Sequence, residues 1–114
     1  MLKHHCQYET EFCDGVLVIR LGGEIDHHSA VGIRTALDEE ITRLRPRKTV
    51  LDLGRIEFMD SSGLGLIMGR YSLMQKLGGV LTLRSPNERI VKIFELANLG
   101  RMICIEGGGE EESK

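Results

Sequence analysis

The residues best suited to chemistry lie in two short stretches. One is Met59-Asp60-Ser61-Ser62-Gly63-Leu64-Gly65, which sets a carboxylate beside two hydroxyls. The other is Asp26-His27-His28, a carboxylate followed by two imidazoles. The first stands between a short apolar run, Val50-Leu51-Asp52-Leu53, and a pattern in which Leu64, Ile67, Met68, Tyr71 and Met74 recur at three and four. That reads as strand, turn, helix start. The polar side chains therefore fall where a helix leaves its first N–H groups without partners. Two readings follow. Asp and Ser cap the helix, a position both types favour, or a hydroxyl is offered there to the chemistry of another protein.

Catalysis by the chain itself fits poorly. A serine-hydrolase elbow requires G-x-S-x-G, yet Met59 and Asp60 stand two positions before Ser61 and Ser62. Only His27 and His28 offer a base near it. Gly63, Gly65 and Gly69 are spaced one residue too long for the dinucleotide fingerprint, and they follow the third strand rather than the first. Nothing in the chain matches a P-loop. Asp26-His27-His28 echoes the metal motif of DHH-type phosphoesterases, but a metal needs ligands converging from several segments. Only His4 and His5 could add imidazoles, and they precede the first strand. The preferred reading has Asp26 capping the first helix, the histidines on the surface, and no metal. A small metal- or nucleotide-dependent phosphoesterase built on the Asp26-His27-His28 edge is the alternative.

Composition narrows the field further. A chain of 114 residues is expected to form one domain with a sizeable core. A net charge of -2 and 4% aromatic residues give no basic field or stacking platform for nucleic acid. The basic cluster Arg43, Arg45, Arg47 and Lys48 reads as a solvated loop. No apolar run approaches the ~20 residues of a membrane span, and Met1-Leu2-Lys3-His4-His5 is no secretory signal. Cys6, Cys13 and Cys104 form no disulfide framework, as in a reduced cytoplasmic setting.

The elements that must hold these stretches follow from pattern. Cys6, Tyr8, Thr10 and Phe12 alternate with polar residues as a half-exposed strand, and Asp14-Gly15 predicts a type I′ hairpin. Val16-Leu17-Val18-Ile19 reads as a strand covered on both faces, ending at Gly22-Gly23. Glu24 to Ser29 leads into a helix with Val31, Ile33, Leu37 and Ile41 inward; Arg34–Asp38 and Glu39–Arg43 pairs lie outside, and Pro46 is the stop. Thr49–Leu53 is the third strand, and the second helix ends at Gly78-Gly79. Val80–Leu83, a third helix opened by Ser85-Pro86, and a strand over Met102–Ile105 complete the domain. The expected fold is a single α/β domain over residues 1–106, with a flexible acidic tail over 107–114. Its sheet is mixed but mostly parallel, with an N-terminal β-hairpin and three main helices. Residues 24–29, 57–63 and 84–88 are expected at one sheet edge, with Ser85 near the Asp60-Ser61-Ser62-Gly63 turn. Gly65 and Gly69, one turn apart, imply close backbone approach, by the chain's own sheet or by a partner.

These stretches together resemble the anti-sigma-factor antagonists of the STAS family. The likeness is carried by Gly23-Glu24-Ile25-Asp26-His27-His28, by Phe58 through Gly65, by Gly69-Arg70-Tyr71 and by Ser85-Pro86 with Ile93-Phe94. It runs from about residue 9 to 105. Asp-His-His after Gly-Glu-Ile points to the sporulation type over the general-stress type. The resemblance implies a cytoplasmic switch, not an enzyme, with no cofactor of its own and a monomer when free. It would bind an anti-sigma factor that is also a serine kinase and so free the sigma factor. That kinase would phosphorylate the first serine of Asp-Ser-Ser-Gly, Ser61, and a PP2C-type phosphatase would restore it. Partner contacts are expected from Asp26, His27, His28, Met59, Asp60, Ser61, Ser62, Gly63, Leu64, Gly65 and Ser85. Members of the family commonly carry another helix after the last strand, where this chain has Gly107-Gly108-Gly109, so one flank of the sheet should be less covered.

Overall fold

A computed structural model describes residues 6–100 and 102–107 of the protein. The expected tail beyond Gly107, with His4 and His5, lies outside the described residues. Strand β1, Gln7–Cys13, and β2, Val16–Ile25, form an antiparallel hairpin. Asp14 and Gly15 both take positive φ, 54° and 78°, as the type I′ turn requires. The chain continues through α1 (His27–Leu44), β3 (Lys48–Met59), α2 (Ser61–Lys76), β4 (Val80–Arg84), α3 (Glu88–Leu96) and β5 (Cys104–Glu106). The strands lie in chain order, and β2 to β5 are parallel.

That order has a direct consequence. Successive crossovers that step the same way with the same hand place all three helices on one face of the sheet. Leu17, Ile19 and Leu21 of β2 join Leu51 and Leu53 of β3 in one core with Ile33, Leu37, Ile67 and Phe94 of the helices. The expectation that β2 is covered on both faces is therefore corrected: its residues alternate, with Val16 and Val18 only half-buried. The opposite face mixes apolar and charged rows: Val18, Val50 and Thr82 lie side by side on it. In one row across the sheet, Glu9, Arg20, Asp52, Arg84 and Glu106 alternate in sign, so every lateral neighbour is an opposite charge.

The strands differ in length, and this decides where the turns fall. Only Lys48–Asp52 of β3 pairs with β4, whereas Gly22–Ile25 of β2 run on beside Arg55–Met59. Residues 24–25 and 57–59 are thus strand, not loop, and β2 does not end at Gly22-Gly23. Ser85 lies beside Gly54, where an added Cβ would come 3.5 Å from the Ser85 Cβ. From there to Asp60 the chain advances by six residues, roughly 20 Å of strand. Ser85 is therefore not a neighbour of the Asp60-Ser61-Ser62-Gly63 turn, because β3 outruns β4. Ser85-Pro86 also precedes α3 rather than opening it, since Asn87 is the cap and its side chain accepts from Ile90 N–H.

One charged side chain is buried among the described residues. Arg70, 5% exposed, donates to the Leu66 carbonyl and reaches across to Asp38 of α1. Its Nε stands 2.8 Å from Asp38 Oδ1 outside hydrogen-bond alignment, while its Nη2 donates to Asp38 Oδ2 at 3.5 Å. Burial lowers the pKa of the guanidinium, and Asp38 opposes that shift. The i,i+4 pairs read on α1 do not form: Asp38 turns inward to Arg70, and Arg43 pairs with Glu40. Removing Asp38 leaves a buried cation without its partner, whereas removing both charge and burial penalty at Arg70 does not. We predict that Asp38→Ala destabilises by about 1–3 kcal/mol, discounted for the partial exposure of Asp38, and Arg70→Met by less. Chemical denaturation of the two variants measures the difference.

Cysteine accessibility offers a second check. Burial pushes the Cys6 thiol up to about 11, while Cys13 and Cys104 are exposed. Native thiol labelling should modify Cys13 and Cys104 promptly and Cys6 only after unfolding.

Candidate functional site

The turn from β3 into α2 is built by local hydrogen bonds. Asp60 is the N-cap: its Oδ1 accepts from Ser62 N–H at 2.8 Å, and its carbonyl accepts from Gly63 N–H at 2.9 Å. Asp60 N–H donates to the Ile25 carbonyl at 3.2 Å, which ties the turn to the end of β2. Met59 is buried beneath, and α2 passes directly over it at Gly63. A Cβ on Gly63 would overlap Met59 Cγ and stand 2.7 Å from its Sδ. This fixes which hydroxyl faces outward. Ser61, the first residue of α2, is exposed, and Ser62 is half-buried.

The neighbouring turn closes with a capping box. Asp26 Oδ1 accepts from Ser29 N–H at 2.9 Å, and Ser29 Oγ accepts from Asp26 N–H at 3.0 Å. The Ser29 N–H bond is the main reason the Asp26 carboxyl is held below its ordinary pKa. His27 and His28 begin α1 and are exposed.

Between the two helix starts runs a groove of about 240 Å³. His27, Ala30, Val31 and Arg34 line it from α1, and Ser62, Gly65 and Leu66 from α2. A Cβ added at Gly65 or Gly69 would meet nothing within 4 Å. Packing on the chain's own sheet therefore does not account for these glycines, and they leave the surface of α2 smooth toward solvent.

Of the residues expected at a site, Asp26, His27 and His28 come together with Asp60, Ser61, Ser62 and Gly65. Leu64 is half-buried, and Met59 and Gly63 are buried supports that a partner cannot touch. Ser85 lies elsewhere. Among the described residues no three His, Cys, Asp or Glu side chains converge as a metal would need. Val31, expected inward, is instead 48% exposed, and Arg34, expected to pair with Asp38 on the outer face, lines the groove with it. The signal was the spacing 27, 31, 34, one helical face with both apolar and charged members.

This arrangement matches a known domain. The model of the STAS domain fits residues 7–110. The chain belongs to the STAS domain family. Among its relatives, the anti-sigma F factor antagonist of Paenibacillus polymyxa is 39% identical over 99 residues, 87% of this chain and 85% of that protein. The solved structure of the anti-sigma factor antagonist SpoIIAA in its unphosphorylated form superposes with a TM-score of 0.75 at 31% identity, covering 94% of this chain and 92% of the other. The phosphorylated form of SpoIIAA, described as a Bacillus cell fate determinant, gives 0.71 at 31% identity over 94% and 96%. No described helix of this STAS domain is long and apolar enough to cross a membrane.

The glycines separate by what surrounds them. Gly63→Ala should destabilise by about 1–3 kcal/mol through overpacking on Met59, while Gly65→Ala and Gly69→Ala should each stabilise by up to about 1 kcal/mol. Thermal or denaturant melts of the three variants test this. The Asp26 cap has its own pH signature. A lowered folded-state pKa means its contribution is complete above the unfolded value of about 3.9 and is lost as pH falls through the folded value. The stability gap between wild type and Asp26→Asn should close over that acid window and stay constant from pH 5 to 7.

Proposed function

We propose that this STAS domain is an anti-sigma factor antagonist switched by phosphorylation of Ser61. Unmodified, it binds an anti-sigma factor that is also a serine kinase and so frees the sigma factor. Phosphate on Ser61 ends that binding, and a PP2C-type phosphatase restores it. The protein works in the cytoplasm as a monomer when free, and the kinase supplies the nucleotide site that this chain lacks as a motif.

The observation that carries the reading is the asymmetry of the two hydroxyls. Ser61 projects from the first position of α2, while the neighbouring Ser62 is half-buried against the groove and its N–H is held by Asp60. A kinase reaches the first more readily than the second. The naming of the curated relatives as anti-sigma factor antagonists supports the partner class. A phosphorylated form of SpoIIAA supports the modification. The partner surface on this reading comprises Asp26 to His28, Asp60 to Ser62, Leu64 and Gly65, with Met59 and Gly63 shaping it from beneath.

The physical chemistry is consistent with a surface switch. A phosphoserine brings about -1.5 to -2 charges. The Ser62 and Gly63 N–H groups are already held by Asp60, but the helix dipole at the start of α2 still favours an anion, and repulsion from Asp60 is screened over about 8–10 Å. The fold should therefore accommodate the group, while a partner fitted to a neutral hydroxyl would have to desolvate it.

Incubation with ATP and the anti-sigma kinase of the source organism tests the assignment. Peptide mapping should find one phosphate, on Ser61, and Ser61→Ala should remain unmodified while still binding. Phosphate on Ser62, or modification of Ser61→Ala, would overturn it.

A further inference from the structure

The groove between α1 and α2 lacks negative charge. No carboxylate lines it, because Asp26 and Asp60 are engaged in helix caps and Asp38 is turned to Arg70. Arg34 stands on its wall, exposed and without an ion-pair partner among the described residues. The buried Arg70 feels the positive charge of Arg34. Asp38 pairs with Arg70, so the positive charge of Arg34 is left uncompensated on the groove side. The rest of the lining combines apolar Ala30, Leu66 and Val31, the last 48% exposed, with the uncharged hydroxyl of Ser62 and the imidazole of His27. Gly65 leaves the opposite wall open to close approach.

We propose that this groove receives a segment of the anti-sigma factor that presents an apolar side chain with an Asp or Glu beside it. The inference rests on the partner class proposed above. The apolar side chain lies against Ala30, Val31 and Leu66, and the carboxylate meets Arg34, a guanidinium suited to bidentate pairing. A single uncompensated guanidinium beside apolar side chains fits one carboxylate. A polyphosphate or a nucleic acid would call for several cations. The groove opens beside Ser62 and adjoins Ser61, so an occupant there would lie against the modified turn.

Affinity for the anti-sigma kinase of the source organism, measured at two ionic strengths, tests this. Arg34→Glu should weaken binding at least about fivefold at low salt, and Arg34→Ala should flatten the salt dependence. Glu95→Lys on α3, exposed and outside the groove, should leave affinity unchanged. Replacement of exposed Asp or Glu residues of the kinase by Lys, one at a time, should identify a position that restores binding to Arg34→Glu. Melting curves matching wild type establish that the variants are folded. Unaltered affinity in a folded Arg34→Glu protein overturns the proposal. So does inorganic phosphate binding to the STAS domain alone through Arg34, which would make the groove a small-anion site. If wild type binds no anti-sigma factor at all, the functional reading itself fails, an outcome distinct from the first two.

Discussion

The close passage of α2 over Met59 is the constraint on which the rest of the site depends. Only the absence of a side chain at Gly63 allows it. Because the helix can lie that low, Asp60 reaches its capping position and Ser61 is left as the exposed first residue. The bond from Asp60 N–H to the Ile25 carbonyl then ties this turn to the next one. A larger residue at 63 would lift the start of α2 and move the hydroxyl, both caps and one wall of the groove together.

A second constraint holds the other end of the groove. The Arg70–Asp38 pair joins α2 to α1 where the interface is buried, and so fixes how far the two helices can part. Such a pair is weak evidence for stability but can specify one packing over another. The opposite face of the sheet needs no comparable device. In its charged row the signs alternate from strand to strand, which leaves no like-charge neighbours there.

Much of this was legible in the sequence, for identifiable reasons. Asp14-Gly15 announced the hairpin because few residue pairs accept two positive φ values. Asp26 and Asp60 announced their caps because carboxylates satisfy free N–H groups. Strand lengths were not legible, since Gly22-Gly23 reads as a stop and Thr49–Leu53 as a whole strand, but both lie within longer strands. That error alone placed Ser85 beside the Asp60-Ser61-Ser62-Gly63 turn. The inward turn of Asp38 was also hidden, because its partner Arg70 is distant in sequence and a nearer Arg34 satisfied the helix rule. The two kinds of glycine in α2 looked alike in sequence. Only the positions of Met59 below and solvent above distinguish Gly63 from Gly65 and Gly69.

We propose that modification of Ser61 acts at the surface and leaves the fold intact. The most direct test is one preparation, divided into phosphorylated and unmodified forms, in which melting and affinity for the anti-sigma factor are measured side by side. Melting temperatures should agree within a few degrees, and the affinity of the phosphorylated form should be at least about tenfold weaker. A large cooperative loss of structure on phosphorylation would contradict it, and the switch would then be conformational.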